Sequence, residues 1–329
     1  MLRIIRHLSP YLYLALTLII MGYGFLSPQY DNFHGDGKIS ADSLQQAQDS
    51  FFSKVNFYNS KNQLPFLHLD SDELTISGGS KDIFFSQPKG VLYTKEQRPV
   101  NYQGQQGIFK DATQILILTN EVLFKDKESQ INANKLTYNI AEETVFAKGN
   151  VKSKMHSLKT AEDILIDANE MRAFMANQTA NYQGQVKGHI KRKRVYEQTV
   201  YFKTDKLYLD LNLSKVSLDG NVFVKKEGIT AESLRGEIFL ENYNKSLKYY
   251  VLYDDVRLIE KLNSPDGKNL LRRGFSEKLE GIINEDKIVL TGYPKVFQGQ
   301  DIIKGNRITI RENNEIVEVD DASSNFELK

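Results

Sequence analysis

The sequence has no cysteine, no tryptophan, only 7 prolines and almost no excess of one charge, with 43 Lys and Arg against 42 Asp and Glu in 329 residues. Without cysteine there is no disulfide, thiolate nucleophile, zinc-thiolate centre or acylated cysteine, which excludes a thiol enzyme and a lipoprotein. A formal net charge of +1 gives no field that gathers polyanions from a distance, so no nucleic-acid partner is expected. What is present is aromatic and β-prone: 18 Phe and 17 Tyr in a chain that is 40% hydrophobic and 26% charged.

One long apolar run exists. Leu8 to Leu26 follows Arg3, Arg6 and His7 and carries only Ser9 and Thr17 as polar side chains. A helix of that length reaches roughly 28 Å, close to the thickness of the hydrocarbon core. Cleaved export signals have shorter apolar stretches followed by a small-x-small site, and none follows here. The expectation is an uncleaved anchor that crosses a membrane with its amino end in the cytoplasm. Residues 28–56, with Gly35, Gly37 and many Asp and Gln, read as a polar linker, with a short helical stretch near Ala41 to Gln48.

Self-similarity is the strongest signal in the remainder. Lys135-Leu136, then Val145, Ala147 and Gly149, recurs 71 residues later as Lys206-Leu207, Val216, Leu218 and Gly220. It returns after 72 more as Lys278-Leu279, Ile288, Leu290 and Gly292. A weaker version opens earlier, at Leu74, Ile76, Ile83 and Phe85. Within each window apolar residues alternate: Leu207, Leu209, Leu211 and Leu213 face one way, Tyr208, Asp210 and Asn212 the other. Period two means strands with one buried face. Gly149-Asn150 and Gly220-Asn221 supply positive-φ residues for tight bends or bulges, and Ala141-Glu142-Glu143-Thr144 suits a hairpin tip. The fold class is therefore all-β and antiparallel, with about 16 to 18 strands split between two sheets. Two closures remain open. The interior is filled by its own side chains, as in a sandwich, or it is continuous from end to end and forms a groove.

On Leu136-Thr137-Tyr138-Asn139, then Val145-Phe146-Ala147-Lys148-Gly149-Asn150-Val151, and the echo from Leu207 to Val222, the chain resembles the OstA-type repeat of lipopolysaccharide-transport proteins. With the leading apolar segment and the polar stretch, it is similar to the LptC component of the Lpt exporter. Leu290-Thr291-Gly292-Tyr293-Pro294-Lys295-Val296, followed by Asp301-Ile302-Ile303-Lys304-Gly305, is similar to the end of LptA-like bridge proteins. LptC components usually have a shorter body, so the portion after Lys191 looks like an added section.

The resemblance implies a twisted antiparallel β-jellyroll with an N-terminal transmembrane helix. Its expected divisions are an anchor at 1–27, a linker at 28–56, an LptC-like jellyroll at 57–190 and an LptA/OstA-like continuation at 191–329. It implies a single-pass inner-membrane protein with a periplasmic body that carries lipopolysaccharide acyl chains in its interior. The implied partners are an inner-membrane Lpt ABC transporter near Phe57 to Ile76, and an LptA-like bridge or outer-membrane translocon near Ile308 to Val319. One parity of each strand gives the expected lining: Leu136, Tyr138, Ile140, Val145, Ala147, Val151, Leu207, Leu209, Leu211, Val216, Leu218 and Val222. Carrying a bare chain of a dozen carbons through water costs on the order of 10 kcal/mol, and an apolar groove removes that cost.

Catalytic patterns are missing, so no enzyme activity and no cofactor are expected. His7, His34, His68, His156 and His189 show no metal-ligand spacing and no local acidic partner. Asp254-Asp255 falls where the repeat expects its glycine turn, and Glu142-Glu143 reads as a solvated tip. No phosphate loop or nucleophile elbow occurs. Lys191-Arg192-Lys193-Arg194 reads as a charged edge or as a contact for lipid phosphates. Tyr249, Tyr250 and Tyr253 read as sheet packing before a sugar platform. The rival functions are a structural envelope protein with a closed core and, third, a polysaccharide-processing enzyme.

Overall fold

Alternation of apolar and polar residues governs the backbone throughout. In the strand Val200–Asp210, Val200, Phe202, Leu207 and Leu209 are buried while Tyr201, Lys203, Lys206 and Tyr208 are exposed. The computed structural model describes residues 49–325 except 62–63, 157–162, 192–198, 242–246, 264–268, 312–316 and 322. The expected anchor at 8–26 and most of the expected linker lie outside the described residues, and among the described ones no helix is long and apolar enough to cross a membrane. The first strand begins at Ser50, inside the stretch read as linker, where Phe51, Val55 and Phe57 already share one parity.

Among the described residues twenty-two strands follow in chain order. They are β1 (Ser50–Lys61), β2 (Leu64–Ile76), β3 (Ile83–Ser86), β4 (Lys89–Tyr93), β5 (Pro99–Gln103), β6 (Gln106–Lys110), β7 (Ile115–Lys125), β8 (Ser129–Asn139), β9 (Thr144–His156), β10 (Asp163–Phe174) and β11 (Thr179–Lys191). The remainder are β12 (Val200–Asp210), β13 (Lys215–Lys226), β14 (Ile229–Leu240), β15 (Leu247–Asn263), β16 (Asn269–Ile282), β17 (Lys287–Thr291), β18 (Lys295–Gln298), β19 (Asp301–Lys304), β20 (Arg307–Arg311), β21 (Val317–Asp320) and β22 (Ser323–Asn325). The expectation of fewer strands in two separate sheets is corrected: all belong to one hydrogen-bonded network. Two single 3-10 turns are the only helical elements among the described residues.

From β7 to β16 each strand pairs antiparallel with the next, and each of these pairings slips its register near a pair of left-handed residues; in β9–β10 and β10–β11 the slip sets Asn169 against Gly149-Asn150 and Gly184-Gln185. Those pairs are Asn120-Glu121, Gly149-Asn150, Gly184-Gln185, Gly220-Asn221, Asp254-Asp255 and, after β17, Gly292-Tyr293. The bulges form a crease across the sheet. At Gly149, φ is 78° and a β-carbon would sit 2.9 Å from Asn134 Nδ2, so the crease admits only glycine there without strain.

The crease divides every long strand into two halves that belong to two layers. At the ends of the sheet the layers separate visibly. Glu73–Ile76 of β2 pairs with β3, whereas Leu67–Asp70 pairs with β4. Likewise Lys278–Ile282 of β16 pairs with β17, and Arg272–Phe275 pairs with β18. Layer one therefore runs from β3 and β6 through the Lys135–Asn139 side of β8 to β17, β20 and β21. Layer two runs from β4 and β5 through the Ser129–Ala133 side of β8 to β18, β19 and β22. The inward residues of both layers form one hydrophobic cluster, so the sheet is folded lengthwise upon itself. The described strands all lie in one compact unit, Ala47–Lys329.

The repeat is half as long as the sequence suggested. Bulge glycines at 149, 184 and 220 are 35 and 36 residues apart, which is one hairpin. Ala168-Asn169-Glu170-Met171 is the skipped copy between Ala133-Asn134-Lys135-Leu136 and Thr204-Asp205-Lys206-Leu207. It escapes notice because glutamate replaces lysine and methionine replaces leucine.

Candidate functional site

Tips of the two layers meet along a seam parallel to the crease where Lys95 contacts Glu143 and Lys226 contacts Asp286. Between the layers, on the seam side, lies a cavity of about 180 Å³. Val100, Phe124 and Ile164 from layer two and Val145, Met171, Tyr182 and Leu209 from layer one make its apolar floor. Asp126, Glu128, Lys154 and His156 border it on one lip, Met175, Gln178 and Leu211 on the other. Glu128 and Gln178 are exposed, so the cavity opens to solvent through the seam. An apolar cavity of about 150 Å³ is enough to take up benzene, so this one has room for part of an acyl chain, and a longer chain requires the layers to part.

Two contacts close the seam on either side of the opening. Glu143, at the β8–β9 tip, accepts the Lys95 backbone N–H at 2.6 Å across the layers. Glu143 is buried, so its assignment to a solvated tip is corrected; Glu142 is exposed as expected. Further along, the Lys226 ammonium, only 5% exposed, donates to Asp286 Oδ1 at 3.0 Å. Inside layer two, the row of residues nearest the seam changes character at this point. Ile164, Ile190 and Val200 pair in register, and the row continues through Lys226, Ile229, Glu260, Arg272 and Gln298. Glu260 and Arg272 form a fully buried ion pair of 2.7 Å, and Arg272 Nε also donates to Gln298 Oε1 at 2.9 Å. The interior next to the seam is therefore apolar up to β12 and charged beyond it.

Of the twelve expected lining residues, all lie on the inward side. Leu136, Tyr138, Val145, Ala147, Val151, Leu207, Leu209, Val216, Leu218 and Val222 are buried, while Ile140 and Leu211 are half-buried at tips and pack against the same cluster. Only Val145, Leu209 and Leu211 border the cavity itself. Leu213, expected to face inward with its neighbours, is 69% exposed, because β12 ends at Asp210 and the chain turns before it. Sequence reading missed Phe124, Ile164, Met171 and Tyr182; the overlooked copy at Ala168 to Met171 is the signal that would have found the last three, on β10 and β11. Burial pushes the Tyr182 phenol up to about 12, partly offset by a hydrogen bond with Ser153.

Near the lip, His156 Nδ1 lies 2.6 Å from Asp163 Oδ1, and Lys154 Nζ lies 3.0 Å from Asp163 Oδ2. The expectation that no acid pairs with a histidine locally is thereby corrected: the β9–β10 pairing sets residues 156 and 163 opposite each other. Partial burial opposes ionisation of Asp163 most strongly, but the hydrogen bonds and charges of His156 and Lys154 together outweigh it and hold the carboxyl below its ordinary value. Asp254 and Asp255 lie in the crease and are paired with Arg235 at 2.6 Å and Arg257 at 2.7 Å, as their turn reading required. Tyr250 is buried in the core and Tyr249 stacks on Phe239 at 4.4 Å. Lys191 is the exposed last residue of β11; Arg192, Lys193 and Arg194 lie outside the described residues, as do His7 and His34. No group of three or more His, Asp or Glu side chains that could hold a metal ion occurs among the described residues.

The family model described as lipopolysaccharide-assembly, LptC-related, matches residues 12–191. The chain belongs to that family. A second model, for LptA and the N-terminal domain of LptD, described as an LPS transport protein, matches residues 165–316. Among solved structures, the chain is similar to LptH from Pseudomonas aeruginosa, the LptA-homologous periplasmic component of the lipopolysaccharide transport device. The identity is 13% and the TM-score 0.36, over 40% of this chain and 97% of that one. Among curated proteins no relative matches the sequence. The LptC-related and LptA-type matches overlap at residues 165–191, in β10 and β11, and β11 pairs with β12 on both sides of its bulge at Gly184-Gln185. Two family signatures thus share one continuous sheet.

Proposed function

We propose that this chain is a membrane-anchored periplasmic carrier that takes lipopolysaccharide by its acyl chains into the space between the two layers. Residues 8–26 hold it in the inner membrane, residues 57–190 serve as the LptC-like jellyroll and residues 191–329 as the LptA-like continuation. The observation that carries this reading is the apolar cavity opening through the seam, flanked by the Lys95–Glu143 and Lys226–Asp286 contacts. Family membership supplies the class of cargo. Opening the seam between those contacts lengthens the cavity along the inward faces of Leu136, Leu207, Leu209 and Val216, so the twelve residues of that parity form the lining of the loaded state. No catalytic step is required, and none of the paired carboxylates is arranged for one.

The sheet ends give the assembly its direction. Beyond β1, which pairs only with β2 among the described strands, Phe51, Phe52 and Tyr58 are exposed. An exposed edge of this length is completed by a strand of a partner, here the transporter. At the other end β21 and β22 each have one described neighbour, and they meet the bridge or the translocon.

The test is an unbiased lipid extraction of the full chain purified from its own membranes. The expected result is a phosphorylated multi-acyl glycolipid near one per chain. Extracts with the same lipids as an unrelated single-pass protein would favour the second reading, a structural envelope protein with a closed core, which the tight packing outside the cavity favours.

A further inference from the structure

The outward face of layer two differs in charge from that of layer one. On layer one several outward lysines are ion-paired, Lys148 with Glu170 at 2.8 Å, Lys215 with Glu237 at 2.6 Å and Lys278 with Glu280, whereas Lys135, Arg172 and Lys206 have no ion pair among the described residues. On layer two, two outward rows cross seven strands from β11 to β18. In the first, Lys187 stands opposite Lys203, which stands opposite Phe223. That row continues through Glu232 and Arg257 to Phe275 and Lys295. In the second, Tyr201 lies between His189 and Lys225, and Arg273 lies between Ile259 and Phe297. Between β11 and β18 six basic residues therefore face one acid, Glu232, and a second acid, the exposed Asp167 of β10, ends the first row opposite Lys187. Of the six only Arg257 has an ion-pair partner among the described residues, Asp255. Lys203 instead lies over the Phe223 ring at 5.5 Å, and Phe275 meets Phe297 edge-on at 5.8 Å.

We propose that this outer face binds a linear anionic polysaccharide, with sugar rings on the aromatic side chains and carboxylates on the lysines and arginines. The rows extend roughly 29 Å, at about 4.8 Å per strand. Sheet twist of about 20° per strand turns the face by about 120° over that length, so a flat bilayer touches only part of it while a polymer follows it. The charged ends of the lysines also reach past the shorter rings, so a bilayer would meet charge before any apolar group entered it. A chain of sugars with peripheral anions matches both levels: the charges engage ammonium and guanidinium groups and the rings engage the apolar ring faces. The proposal rests on the extracytoplasmic placement proposed above, since a single-stranded nucleic acid would satisfy a similar pattern in the cytoplasm.

The test uses the full chain in detergent, with polygalacturonate as probe, dextran as neutral control, and a single-stranded oligonucleotide and anionic phosphatidylglycerol vesicles as competing polyanions. Polygalacturonate is expected to bind and dextran not to bind. Lys203→Glu, Lys225→Glu and Arg273→Glu together are expected to weaken that binding by about tenfold or more. Tyr201→Ser with Phe275→Ser is expected to weaken polygalacturonate binding. Tighter binding to the oligonucleotide or the vesicles than to polygalacturonate, or no effect of the charge reversals or of the aromatic substitutions, would overturn the proposal. The same variants are expected to keep the copurifying glycolipid, so loss of polysaccharide binding alone leaves the carrier reading standing, and loss of lipid in the unaltered chain leaves this one standing.

Discussion

Arg272 is one of the largest fully buried side chains among the described residues, and Glu260 and Gln298 are among the groups that offset its charge. Removing one member of a buried pair strands the other. Arg272→Leu is expected to lower stability by about 3 to 5 kcal/mol, whereas Glu260→Leu with Arg272→Leu is expected to restore most of it. Chemical denaturation of the three proteins checks this, and equal loss in the double variant contradicts it. Asp163 gives a pH-dependent counterpart. Its carboxyl is held below its ordinary value of 3.8, so its contribution is present above that value and lost as pH falls through the lower folded value. The difference in melting temperature between the unaltered chain and Asp163→Asn is therefore expected at pH 6 and should shrink below pH 3. A difference that stays constant between those pH values would place the effect in packing and not in the carboxylate. Neither pair was legible in the sequence. Parity with Val256, Leu258 and Leu262 puts Glu260 on the inward side, but nothing in the sequence says that Arg272 stands opposite it.

At the scale of the strand, alternation and turn chemistry made most of the elements readable. The Gly-Asn pairs foretold the crease, and Asp254-Asp255 takes the same left-handed conformation without glycine, as Asn and Asp do more readily than other residues. What could not be read was how far a strand continues through its bulge. Each bulge looks like a turn in the sequence, so one folded sheet of long strands resembled two sheets of short ones. The tips were equally ambiguous: Leu213 continues the alternation on paper but follows the end of β12. The edge strand β21 permits a test of assembly. Val317 pairs with Ile310, and Val317→Pro removes a donor at the edge of the sheet. The expected result is loss of the distal contact with an unchanged far-ultraviolet spectrum. Unaltered affinity for the distal partner would contradict edge-to-edge assembly. Ile316, an equivalent target by sequence, lies outside the described residues.

For the molecule as a whole, the folded sheet explains why the interior could be anticipated and the cavity could not. Parity along a strand decides which side chains point inward, and it did so for all twelve expected residues. Where the interior is left unfilled depends on how side chains from two layers meet, for instance Phe124 and Ile164 against Met171 and Tyr182, and those meetings join residues far apart in the chain. The central claim is that an acyl chain enters between the layers. A photo-crosslinking amino acid placed in turn at Leu209, Asp210 and Leu211 in cells making the full chain tests it most directly. Leu209 and Leu211 border the cavity while Asp210 points to the other side of the strand. Capture of lipopolysaccharide at residues 209 and 211 and none at 210 is the predicted result; equal capture at all three, or capture at 210 alone, would contradict it.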